Sequence, residues 1–170
     1  MIFKLFRKST ALDAAFDAYR AIVAQSRQEK FYVDWGVPDT VTGRFDMISL
    51  HLALVLRRLK GDAQAKDFGQ ALVDLFFRDM DRSLRELGVT DLGVPNKVKK
   101  MGNVFYGLVG VLGEALDSGN AANVEAVLVK NVYGGEDAHA GTLASYLVDE
   151  ARRLSAQPVG VVTRTTGAAA

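Results

Sequence analysis

Apolar residues recur at three- and four-residue intervals along most of the chain, the repeat that gathers them on one face of an α-helix. Six helices follow from it. In the first, Leu12, Ala15, Phe16, Tyr19, Ile22 and Val23 share the spacing, Ser9 or Thr10 can cap the start, and the pattern fades at about Gln28. From Phe31 to Gly43 the chain is punctuated by Gly36 and Pro38 and reads as an ordered loop. The second helix spans about Arg44 to Leu59. Its stretch from Ile48 to Leu56 is apolar on almost every side, which predicts a central, buried position.

Gly61 and Asp62 end that helix and offer an N-cap for the third, which runs to Leu87 with Gly88 as its stop. Phe68, Leu72, Leu75, Phe76, Met80, Leu84 and Leu87 form its core stripe. Asp74, Arg78, Asp81 and Arg85 alternate in sign along the other side, where each pair supports a helix by roughly 0.2–0.5 kcal/mol. Pro95 suits the first turn of a fourth helix ending near Ser118 and Gly119. Asn120 caps a fifth that ends near Tyr133, and a sixth covers about Ala138 to Ser155. No run alternates as a strand does. The expectation is an all-α, single-domain bundle over residues 9–155, preceded by an apolar and basic segment at 1–8 and followed by a tail at 156–170 that frays.

Composition narrows the function. Of 170 residues, 49% are hydrophobic and 24% charged, enough to build an apolar core without staples. A net charge of +1 lacks the basic excess of a general nucleic-acid binder, so DNA is not an expected partner. The chain has no cysteine, which removes disulfides, thiolate metal sites and cysteine nucleophiles, and only His51 and His139 are on hand as imidazole ligands. No cofactor is expected. The longest apolar stretch, Val104 to Gly113, is about half of the roughly 20 residues a membrane span requires. The first eight residues carry neither a secretory core nor a transit-peptide pattern, which predicts a bacterial-type cytoplasmic protein.

Conventional catalytic arrangements are missing. Ser49 and His51 lie two apart on one helix and point away from each other, and no glycine-rich phosphate loop occurs. Asp79 and Asp81 diverge by about 200° on a helix and read as a solvated face rather than a metal pair. His51, among leucines, reads as a buried hydrogen-bonded histidine. The fourth helix is unusual: Gly102, Gly107, Gly110 and Gly113 each cost about 1 kcal/mol relative to alanine there. Either a neighbouring helix packs closely on them, or they leave a shallow groove for an apolar helix of a partner. Lys97, Lys99 and Lys100 form a compact basic patch, a solvated helix start or a contact for anionic lipid or RNA. Ile2, Phe3, Leu5 and Phe6, followed by Arg7 and Lys8, either enter an anionic membrane surface or dock on the protein's own core.

An ordered series of short motifs goes further. Phe31-Tyr32, Trp35-Gly-Val-Pro-Asp-Thr40, Gly43-Arg-Phe-Asp-Met47, Leu50-His51 and Leu56-Arg-Arg-Leu59 are followed by Phe76-Phe-Arg-Asp-Met-Asp81. Leu84-Arg-Glu-Leu-Gly-Val89, Val98-Lys-Lys-Met101 and Phe105-Tyr-Gly107 complete it. In order and spacing the series resembles the ubiquinol–cytochrome c chaperone family over about residues 31–133. The resemblance implies a non-enzymatic helical chaperone that receives newly made cytochrome b and assists its assembly into the cytochrome bc1 complex. It also implies, as in mitochondrial members, a small co-chaperone and a ribosome contact. The missing transit-peptide pattern departs from those members and marks a bacterial-type one, expected in the cytoplasm or peripherally on the cytoplasmic face of the inner membrane. The expected contact residues are Gly107, Gly110 and Gly113 together with the N-terminal segment. In the loop, Trp35, Asp39 and Arg44 either meet a partner or fix the loop and cap the core. The competing readings are a helical scaffold at the membrane surface without cytochrome b specificity and a small-molecule enzyme built from carboxylates on several helices.

Overall fold

The computed structural model describes residues 2–135, 139–160 and 162, with residues 2–11 described as backbone only. Among the described residues there is no strand. Six longer helices and one short one follow in order: α1 (Ile2–Ser26), α2 (Glu29–Val33), α3 (Val41–Leu59), α4 (Lys66–Glu86), α5 (Val94–Asp117), α6 (Ala121–Leu128) and α7 (Ala140–Ala156). The all-α expectation holds. A 3-10 turn over Ala63–Ala65 leads into α4, and α6 runs on into a π-turn over Val129–Tyr133.

The caps explain where elements begin. Thr40, in extended conformation, accepts from the Gly43 amide, so α3 starts at Val41 rather than at Arg44. Asp62 accepts from the amides of Gln64 and Ala65, as its position after Gly61 predicted. Gly88 takes a left-handed φ of 80° and ends α4 while Val89 donates back to Leu84. The segment read as a loop from Phe31 is shorter than expected. Phe31 to Val33 complete the short α2, whose amide at Asp34 closes on the Lys30 carbonyl. α1 likewise begins at Ile2, well before Ser9 and Thr10.

α3 is the axis. It packs against α1, α4, α5 and α7, and α6 closes the ring between α5 and α7. From Phe45 to Val55 every residue of α3 is buried, which is why its sequence carries so little amphipathic pattern. Phe45 stacks on Phe76 at 5.1 Å, and Phe76 meets Phe105 at 4.8 Å, so one aromatic chain links α3, α4 and α5. Two apolar residues expected on the inner stripes are instead about half exposed, Leu12 and Phe16 on α1; the burial falls on Ala15, Ala18, Tyr19 and Ile22. Tyr19 donates to Asp79 at 3.0 Å and ties α1 to α4. Leu87 is also 58% exposed, because it lies just past the last turn of α4.

The end of α7 is held from the centre. Arg58 donates to the carbonyls of Leu154 and Gln157, satisfying acceptors that a helix C-terminus leaves open. Val159 and the buried Val162 pack back on the core, so the ordered unit reaches past Ser155. The rest of the expected tail, residues 161 and 163–170, lies outside the described residues.

Candidate functional site

The four α5 glycines divide in two. A Cβ built on Gly102 would lie 3.0 Å from the Phe77 ring, so the close-packing account applies there. At Gly107, Gly110 and Gly113 an added Cβ would meet nothing within 4 Å. No neighbouring helix compensates for these three glycines.

Gly107 lies on an open groove of about 430 Å³ between α5 and α6. Val104, Leu108 and Val111 form one wall, Ala126 and Val127 the other, and Lys130 and Asn131 from the π-turn close an end. Val104 and Val111 are 53% and 43% exposed, which is unusual for valines on an ordered helix face. The missing side chain of Gly107 leaves the floor open between them. On α5, Lys97, Lys100, Val104, Gly107 and Val111 recur at intervals of three and four, so one face carries cations first and apolar groups after. Of the three glycines without a close neighbour, Gly107 lines this groove and Gly110 and Gly113 do not. The valine pair and the α6 wall were missed, although the same three–four spacing from Gly107 would have found the valines.

The loop candidates separate. Asp39 and Arg44 pair with each other at 2.7 Å, and the guanidinium holds the Asp39 carboxyl below its usual range. Both are more than half exposed. The pair joins the loop to the first turns of α3. Trp35 belongs to a different cluster. It packs edge-on to Phe31 at 5.2 Å and against Tyr146 at 5.6 Å, with the Lys30 ammonium over the rings, and the Trp35 carbonyl accepts from the Tyr133 hydroxyl. The structure therefore brings Asp39 and Arg44 together and ties Trp35 into the packing of α2 against α7. The side chains of Ile2, Phe3, Leu5, Phe6, Arg7 and Lys8 lie outside the described residues.

Beneath Trp35 sits a closed polar circuit. The Nδ1 of His51 is 2.8 Å from the Met47 carbonyl, which only accepts, so Nδ1 carries the proton. Nε2 then accepts from the Tyr146 hydroxyl at 2.9 Å, and Gln25 donates to that same oxygen. Burial pushes the His51 pKa down and keeps the ring neutral. This is the structural histidine the sequence suggested. A cavity of about 440 Å³ between α1, α3 and α7 adjoins it, lined by Gln25, Glu150 and Arg153 among others. Asp79 and Asp81 are engaged by Arg82 and Arg85. No group of three or more metal-ligating side chains occurs among the described residues. Nor is any helix among them long and apolar enough to cross a membrane.

The described residues thus form a helical bundle with an open, largely apolar groove between α5 and α6. Comparison with known proteins names the class. The profile of the ubiquinol-cytochrome C chaperone family matches residues 33–167, and the chain belongs to that family. The crystal structure of the Cbp3 homolog from Brucella abortus superposes with a TM-score of 0.86 at 40% identity, covering 99% of this chain and 94% of that one. The ubiquinol-cytochrome-c reductase complex assembly factor 1 of Xenopus laevis is 24% identical over 97 residues, 56% of this chain. The chain spans about half the length of that curated relative, 48%. The family match begins close to the first resembling motif at Phe31 and extends past Tyr133 through α7.

Proposed function

We propose that this protein is a non-enzymatic assembly chaperone that binds newly made cytochrome b and assists its entry into the cytochrome bc1 (ubiquinol–cytochrome c reductase) complex. The observation that supports the reading best is the groove between α5 and α6. Its exposed valines and bare Gly107 suit an apolar helix, the form in which a membrane protein is synthesised. An assembly factor among the relatives supports the assembly role. The chaperone acts peripherally at the cytoplasmic face of the inner membrane, with a small co-chaperone and the ribosome as further partners. Two further contacts with a partner are Trp35, packed against Tyr146 of α7, and the separate exposed Asp39–Arg44 pair at the start of α3.

The test is a deletion strain. Its membranes are expected to lose the cytochrome b absorbance and bc1 activity, and the intact gene restores both. Gly107→Leu, which places a side chain on the floor of the groove, is expected to fold but not to restore them. Normal bc1 in the deletion strain, or full restoration by the leucine variant, refutes the proposal or its groove respectively.

A further inference from the structure

The connection from α4 to α5 presents an apolar tip flanked by cations. Leu92 is 90% exposed, the most exposed large hydrophobic residue described, and Leu87 at the other side of the same connection is 58% exposed. The turn is held in shape. Gly93 and Val94 both donate to the Thr90 carbonyl, and Asp91, next to Leu92, is paired with Arg85. Leu92 is thus held in water by a braced turn.

Charge is arranged around that tip with one sign free. Residues 85–100 hold four cationic and two acidic side chains. The two acids are engaged: Glu86 faces Arg82 at 3.9 Å, and Asp91 is held by Arg85. Lys97, Lys99 and Lys100 are exposed and take part in no ion pair among the described residues. Unpaired lysines beside a protruding leucine match an anionic bilayer, where headgroups meet the ammonium groups and the leucine enters the acyl boundary. Two leucines are too small an area for a stable protein interface, which needs about 800 Å² per partner. Single-stranded RNA binding draws on aromatic stacking, and residues 85–100 contain no aromatic residue.

We infer that the α4–α5 turn, through Leu92 and Lys97, Lys99 and Lys100, docks the protein on an anionic lipid surface. Lys97 and Lys100 share the α5 face that continues into Val104 and Gly107, so docking puts the lysine-bearing end of the groove at the bilayer. The inference concerns lipid and does not depend on the identity of the client.

The full chain is mixed with vesicles of phosphatidylcholine alone or blended with phosphatidylglycerol, and binding is read by co-sedimentation. Binding is expected only to the blended vesicles and to fall as salt rises. Replacing the three lysines by glutamine is expected to weaken it on the order of a hundredfold, about fivefold per lysine. Leu92→Ser is expected to weaken it about tenfold. Both variants change exposed positions, and unaltered melting confirms that they fold. Absence of binding by the intact chain overturns the inference. Undiminished binding by the lysine variant overturns it too and shifts attention to Ile2–Lys8. Loss in the lysine variant with none in Leu92→Ser refutes insertion of the tip. A lysine-dependent shift of single-stranded RNA without lipid binding assigns the patch to RNA instead.

Discussion

Gly107 and Gly110 each lie inside a long helix with free space where a Cβ would be. Replacing both by alanine removes the helix-interior penalty of about 1 kcal/mol per site and creates no clash, so the double variant gains about 2 kcal/mol. For a chain of this size, 1 kcal/mol moves Tm by about 2–4 °C, which gives a rise of about 4–8 °C. Gly102 is the internal contrast. Its added methyl would press on Phe77 at 3.0 Å, and overpacking of that kind costs about 1–3 kcal/mol, cancelling or exceeding the helical gain. Thermal and urea unfolding followed by circular dichroism should therefore rank Gly107→Ala/Gly110→Ala above the parent, and Gly102→Ala level with it or below. A double variant less stable than the parent would mean that α5 is closely packed at these glycines after all, and the open groove would have to be abandoned. If the double variant is more stable yet supports less bc1 assembly, stability has been traded for an accessible groove.

Three further outcomes follow from individual contacts. Gly43→Ala places a Cβ 1.9 Å from the Pro38 carbonyl oxygen, so the loop must move and the N-cap of α3 with it; a loss of about 3 kcal/mol or more is expected in urea unfolding. Asp46 is buried, and desolvation raises its pKa from 3.8 to about 7. The folded state therefore binds more protons between those values, and its stability falls as pH rises through them. Asp46→Asn should match the parent near pH 3 and exceed it by up to about 4 kcal/mol above pH 7; a difference independent of pH would contradict the burial argument. Tyr146→Phe removes the hydroxyl that serves both His51 and Gln25, and the unsatisfied imidazole nitrogen should cost about 1–3 kcal/mol, measured as a lower urea midpoint at unchanged slope.

Local signals were strong enough to read the helices. The Asp62 cap, the Gly88 stop, Pro95 in the first turn of α5 and Asn120 before α6 act through hydrogen bonds within a few residues, so their effect is legible from order alone. The misjudged boundary at α3 is of the same kind. Thr40 is an ordinary N-cap residue, but Pro38 and Gly43 on either side of it suggested a longer loop. Short α2 had too few residues to show a period.

The sequence by itself determined the helical class, the central place of α3 and the family, since each depends on spacing along the chain. It also placed three lysines in the first turns of α5 and four costly glycines further on. Only the tertiary structure decided what those glycines do. A glycine in a helix costs the same whether a neighbour fills the space or not, and the difference between Gly102 against Phe77 and Gly107 against open solvent lies in which helix passes nearby. The same holds for Leu92, whose identity predicts burial and whose position on a braced turn leaves it in water. Contacts between distant segments, which no local pattern encodes, turned an odd composition into a groove and a basic-flanked tip.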